Sequence, residues 1–307
     1  MFWLVWRRNR VALISLVVLS GLIALAHFIV ATRPSSVPSP PSHDLVGILG
    51  SFVRGISGLT PMLPGFMAAL VGGTLLAKEL NSGTHRFLFT QQNSRNRWFI
   101  TGTATVLIAV AVMSVPLSLA LTSVTDQISV DRGFGYFSQD ILAMPATAVF
   151  VTSFAMLIGA ATKREIVGVV SGPVIGWGTW LLFNNILRPT YATPLSTTDH
   201  PIRVDSDNDG FRETIDTSVW LVDQELRDIE SKEVLSNAEM SQRYGEFYAE
   251  NGTSAEFVPS DQGLEWVYHY HPYDRYWSFQ FIETGILLGL TALCLGAAFW
   301  VVNRRTG

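Results

Sequence analysis

Six stretches of this chain, each 20 to 28 residues long, contain no Asp, Glu, Lys or Arg: 11–32, 55–77, 98–125, 141–162, 166–187 and 284–303. A helix needs ~20 consecutive, mostly apolar residues to cross ~30 Å of hydrocarbon at about 1.5 Å per residue. Each window meets that length. A β-barrel is disfavoured, because its strands would be shorter and would alternate polar with apolar. Charged residues make up 15% of the 307-residue chain, against roughly 25% in an average soluble protein. That composition argues against an ordinary cytoplasmic enzyme, a disordered chain and a nucleic-acid binder. The single cysteine, Cys294, leaves no intrachain disulfide framework and no multi-Cys zinc site.

Orientation follows from the basic residues that flank the windows. With the N-terminus in the cytoplasm, the inner segments hold eleven bases, among them Arg7, Arg8, Arg10, Lys78, Lys163, Arg164, Arg304 and Arg305, against two acids, Glu79 and Glu165. The short outer loops, 33–54 and 126–140, hold only Arg33, Arg54 and Arg132 as bases. Six spans return the C-terminus to the cytoplasm. The first apolar run, 22 residues, exceeds the ~7–15 of a cleavable signal segment, so it reads as a retained helix.

The expected fold is an all-α polytopic membrane protein: six transmembrane helices with a small external domain between helices five and six. Residues 1–187 carry helices one to five, 188–277 the acidic external domain, and 278–307 helix six and a cytoplasmic tail. Residues 188–277 hold 18 acids and 7 bases, too charged for lipid and too long for a turn. Within them, Ser218 to Asn251 reads as helical, with Trp220, Leu221, Ile229, Leu235, Met240 and Phe247 as buried positions and Gly252 as the stop. Pro61, Pro64 and Gly65 are expected to kink or break the second span.

The segment from Glu79 to Arg97 is too polar to enter lipid, yet Phe87, Leu88 and Phe89 need a surface to cover them. Ser82 or Thr84 is suited to cap a short helix there. Physics alone leaves two readings: a helix lying on the inner leaflet, or a docking element for a cytoplasmic partner. The residues Glu79, Gly83, Thr84, Leu88, Thr90 and Arg95 resemble the first cytoplasmic loop of ABC-2 type transporter permeases. Gln91 stands where that broad family often has Pro. Gly83-Thr84-His85-Arg86, followed by Thr90-Gln91, is similar to an actinobacterial branch of the family, as are Trp3 to Arg10 and Asp274 to Glu283. Phe89 departs from the Trp common in that branch.

The resemblance implies a transport subunit paired with a separate ATPase subunit and with a second permease copy or a related permease. The coupling residues it points to are Glu79, Gly83, Thr84, His85, Arg86, Phe87, Leu88, Thr90 and Arg95. The chain has no Gly-x-x-x-x-Gly-Lys-Ser/Thr phosphate loop, so the nucleotide chemistry would belong to another chain. The alternative is a membrane-anchored receptor or sensor whose acidic external domain binds a ligand.

Other residues are weighed singly. Glu283, near the outer end of span six, is costly in lipid; it is either a gate or substrate contact, or a helix-packing polar residue, and the second is favoured. His27 is expected to bond to a neighbouring helix. His269 and His271 share one face if Val267 to His271 is a strand, but a third zinc ligand is not evident. Asp205 to Asp216 follows the loop order of an EF-hand: Asp205, Asp207 and Asp209 at positions 1, 3 and 5, Gly210 at 6, the Phe211 carbonyl at 7 and Asp216 at 12. Alternate residues in that order turn inward around a hard cation. A structural calcium ion is expected there, with weak affinity on the order of 10⁻⁴–10⁻³ M, because Asp replaces the usual Glu at position 12.

Overall fold

A computed structural model describes residues 2–31, 63–82, 95–128, 134–199, 204–206, 213–215, 219–251 and 258–306. Six long helices follow the six charge-free windows: α1 (Phe2–Ala31), α2 (Leu63–Ser82), α3 (Arg95–Ile128), α4 (Ala143–Thr162), α5 (Glu165–Leu182) and, last in the chain, a 31-residue helix from Tyr276 to Thr306. Four helical stretches among the described residues are long and apolar enough to cross a membrane: Asn96–Thr122, Ala143–Thr162, Glu165–Thr190 and Tyr273–Arg304. Two shorter apolar stretches, Val17–Ile29 and Ala69–Lys78, belong to α1 and α2. The protein is mostly helical and built for a bilayer.

The chain divides into two compact units. The first comprises residues 1–128, 136–188 and 277–307. Its helices α2, α4 and α5 meet on small residues. A Cβ on Gly73 would lie 2.5 Å from the backbone of Gly168, and one on Gly159 would lie 2.5 Å from the Gly73 carbonyl oxygen. Only hydrogen fits there. Close backbone approach of this kind is how helices associate in lipid, where burying apolar surface gives no driving force. Gly172 against Ala69 extends the same seam.

Many hydroxyls on the long helices of this unit bond within their own helix. The hydroxyls of Thr103, Ser114, Thr122, Thr152, Ser153 and Thr179 each donate to the carbonyl four residues back, at 2.6 to 3.0 Å. An apolar helix can therefore carry them without orphaned donors. Large apolar side chains face outward instead, among them Ile108, Val112, Ile166, Val174, Phe281 and Leu293. In water such a surface would be an aggregation liability; against acyl chains it is ordinary.

One expectation for this unit changes. His27 is buried, but its Nδ1–H donates to Ile23 of its own helix at 2.9 Å. A turn of the same helix supplies the acceptor, so no neighbour is required. Pro64 lies in the first turn of α2, and residues 55–62 before that helix lie outside the described residues. In the first turn its missing N–H costs nothing, because N–H groups there have no helical partner. Pro61 lies outside the described residues.

The second unit comprises residues 129–135 and 189–276, and it corrects the all-α expectation. Among the described residues, five strands, β1 (Leu195–Thr197), β2 (Val204–Ser206), β3 (Glu213–Ile215), β4 (Trp220–Asp228) and β5 (Leu264–His271), accompany one α-helix, α6 (Asn237–Asn251). An antiparallel sheet runs β1-β5-β4, and β2 pairs with β3. With α6 numbered, the last helix, Tyr276–Thr306, is α7.

The stretch 218–251 is therefore not one helix. Trp220 to Asp228 forms the edge strand, and its buried residue is Leu226, whereas Ile229 is 39% exposed. Asp228 ends the strand: its Oδ1 accepts from the backbone N–H groups of Glu230 and Ser231, both at 2.9 Å. Those bonds hold its carboxyl below the usual carboxylate range. Ser236 and Glu239 then start α6 as a capping box. Glu239 N–H donates to Ser236 Oγ, and Ser236 N–H donates to Glu239 Oε2.

Candidate functional site

The two ends of the 79–97 segment are anchored in one core. Leu76 near the end of α2 and Trp98 and Phe99 at the start of α3 are buried. They belong to a single apolar cluster that also contains Ala298 and Val302 of α7. Phe99 meets Phe299 edge to face, with ring centroids 5.3 Å apart. A force applied to this segment thus bears on three helices at once. Of the coupling residues read from sequence, Glu79 lies in α2 and Arg95 opens α3. Gly83, Thr84, His85, Arg86, Phe87, Leu88 and Thr90 lie outside the described residues.

A second constellation gathers where α5 ends. After Leu182 the helix widens into a π turn, Phe183–Leu187, followed by a 3-10 turn, Arg188–Thr190. π turns inside helices frequently mark functional positions. Arg188 keeps helical dihedrals, φ −60° and ψ −42°, although it precedes Pro189, a position where that conformation is disfavoured. Its side chain is 3% exposed and makes a fork with Glu283 of α7: Nε to Oε2 and Nη2 to Oε1, both 3.1 Å. Nη1 donates to Asn184 Oδ1 and Nη2 to Ser138 Oγ, each at 3.1 Å. The guanidinium carbon lies 4.0 Å from the centre of the Phe137 ring.

One turn away on α7, Gln280 is fully buried. Its Nε2 donates to the Phe137 carbonyl at 2.8 Å, and its Oε1 accepts from the Ala143 N–H, the first residue of α4, at 3.2 Å. Ser118 of α3 donates to the Gln139 carbonyl at 2.7 Å. Residues 137–139 are therefore held by side chains from α3 and α7 and by Arg188. The favoured reading of Glu283 as a packing residue agrees with this geometry. Arg188, read from sequence only as the edge of a loop, is a correction: it lies in the same buried cluster. The signal for the pair was present in the sequence. Each charge closes one of the apolar windows, and an ionisable residue at such a place needs a partner.

The space beside this pair is about 20 Å³, bounded by Ser138, Thr147, Thr179, Phe183, Arg188 and Glu283. That is room for about one water molecule. The cluster ties Ser138, Asn184 and Arg188 to α7.

In the second unit, His271 is fully buried. Its Nε2–H donates to the Pro189 carbonyl and its Nδ1 accepts from Arg275, both at 3.1 Å. This is the neutral imidazole with both nitrogens used. Burial holds the ring below its ordinary value, the bond to Pro189 opposes that, and the Arg275 charge adds to it. His269 lies on the same strand with Ser196 Oγ 2.9 Å from Nδ1 and Glu225 Oε1 3.4 Å from Nε2. The two imidazoles thus serve different neighbours. Of the calcium-loop residues, Asp205 lies in β2, opposite Thr214 of β3. Asp207, Asp209, Phe211 and Asp216 lie outside the described residues.

A family model described as ABC-2 membrane transporter related matches residues 10–188. The chain belongs to that family. The match takes in the ABC-2 permease frame from α1 to the π turn, including the whole 79–97 segment, and ends at the buried Arg188. No curated protein and no solved structure matches the chain. As a member of the ABC-2 group it is a membrane component of an ABC transport system.

Proposed function

We propose that this chain is the permease subunit of an ATP-driven ABC exporter. It crosses the plasma membrane six times with both termini in the cytoplasm, pairs with a separate ATPase subunit, and forms the pathway with a second copy or a related permease. The family match carries the reading, because it spans the segment whose residues resemble the permease coupling loop.

The anchoring of that segment supports a mechanism. ATP binding closes the partner subunits. The loop from Glu79 to Arg97 receives the motion through Gly83, Thr84, His85, Arg86, Phe87, Leu88 and Thr90. The shared core of Leu76, Trp98, Phe99 and Ala298 passes it to α2, α3 and α7 as rigid bodies. Affinity purification of the full chain from its own membrane tests the proposal. A protein with a phosphate-binding loop accompanies the wild type and is lost from Phe87→Asp and Gly83→Asp. No ATPase with the wild type, or equal recovery with both variants, overturns it.

We also propose a weak structural calcium site at Asp205, Asp207, Asp209, Phe211 and Asp216 in the outer region. The residue order supports it, as does the pairing of β2 with β3, which brings the two ends of the segment together. Calorimetry on the detergent-purified full chain tests it at calcium concentrations on the order of millimolar. Heat that disappears in Asp205→Ala and Asp209→Ala supports the site; no heat, or equal heat in the variants, removes it.

A further inference from the structure

Between α4 and α5 runs an apolar groove of about 440 Å³, lined by Phe154 on one side and by Ile166, Val167, Val170, Ser171 and Val174 on the other. Ile166, Val170 and Val174 are 78%, 55% and 69% exposed, and their spacing of four residues sets them along one stripe of α5. The only polar side chain named here, Ser171, spends its hydroxyl on the Gly168 carbonyl at 2.7 Å. The groove offers a ligand no hydrogen bond, so its occupant along this length is hydrocarbon.

Its length and its end say which hydrocarbon. From Ile166 to Val174 the helix rises roughly 12 Å at about 1.5 Å per residue. One leaflet contributes ~15 Å of a ~30 Å core, so the groove is about one leaflet deep. Just ahead of Glu165 and Ile166, at the α4–α5 turn, stand Lys163 and Arg164, both exposed. Lys163 holds the turn in a left-handed conformation, φ 59°, with its N–H on the Gly159 carbonyl. Glu165, the first residue of α5, offsets one of the two charges.

We propose that this groove is a binding site for an anionic phospholipid, with one acyl chain laid along Ile166, Val170 and Val174 and the phosphate held by Lys163 and Arg164. An amphiphile with a negative head and a leaflet-long tail satisfies both ends of the feature. Cations near an anionic head each strengthen such binding several-fold.

The test is native mass spectrometry of the delipidated, detergent-purified full chain, titrated with phosphatidylglycerol or phosphatidylcholine. The wild type is expected to retain phosphatidylglycerol roughly tenfold better than phosphatidylcholine. Lys163→Asn with Arg164→Gln, a change at exposed positions, removes the preference. Val170→Trp, which fills the groove, lowers retention of both lipids while the size-exclusion profile stays unchanged. Equal retention of the two lipids by the wild type overturns the proposal. So does undiminished phosphatidylglycerol on both variants. Loss of dimer in Val170→Trp with lipid retention intact assigns the groove to a second copy and overturns it as well.

Discussion

The two units of this chain are built on different rules. In the first, many hydroxyls turn back onto their own helices, glycines bring α2, α4 and α5 into backbone contact, and large apolar side chains face out. In the second, strands are paired edge to edge, carboxylates cap turns, and charges link neighbouring segments, as Arg227 of β4 and Lys232 of the following turn do at Glu265 of β5. The first unit makes a stable element from one segment alone, because a helix closes its own hydrogen bonds in lipid. The second depends on partners distant in sequence: β1 finds β5 more than seventy residues away. One polar cluster in the first unit breaks its pattern, and that exception carries the largest energetic expectation.

Replacing Arg188 with Leu leaves Glu283 buried without its cation. Losing one partner of such a pair costs about 3–5 kcal/mol, read as a fall in thermal or denaturant stability of the purified protein. Adding Glu283→Leu to Arg188→Leu recovers most of that loss, since the penalty lies in the stranded carboxylate. A double variant as unstable as the single one would mean that the fork, not charge balance, holds α5 to α7.

The glycine seam sharpens the contrast with a smaller effect. Gly168→Val forces atoms into the Gly73 backbone and is expected to destabilise by about 1–3 kcal/mol, as overpacking does. Gly178→Ala, where a Cβ meets nothing within 4 Å, is expected to be neutral or to stabilise by up to about 1 kcal/mol. Equal melting behaviour of the two variants would remove close approach as the principle of this unit.

The second unit has a pH signature at His271. Its folded value lies below the ordinary imidazole value of 6.5, so the unfolded chain binds the proton first. Stability is full above pH 6.5 and is lost as the pH falls from there toward the folded value. His271→Gln flattens that part of the stability profile. A wild type equally stable from pH 7.5 to roughly pH 5 would contradict the neutral, buried ring.

The legibility of the sequence divides along the same line. Absence of charge over twenty residues needs no partner to be meaningful, so each of the six windows overlaps a long helix among the described residues. The strand Trp220–Asp228 was misread because its Leu, Glu and Gln suit a helix and its pairing with Leu264–His271 is invisible locally. Two local signals did mark the break: the Asp228 turn and the Ser236 to Glu239 capping box. In the candidate site, Glu283 was legible as costly, whereas Arg188 was counted with the charged loop 188–277, although a base at the outer end of a span runs against the orientation rule and so asks for a partner.

The account rests on residues 79–97 facing the ATPase compartment and the acidic unit facing away from it. Labelling of intact cells with an impermeant thiol reagent, after Cys294→Ala, measures this directly. Ser231 is exposed, so a Ser231→Cys variant is expected to label, while Ser94→Cys stays unlabelled until the membrane is opened. The reverse pattern, with Ser94→Cys labelled and Ser231→Cys protected, would contradict the orientation and the coupling role with it.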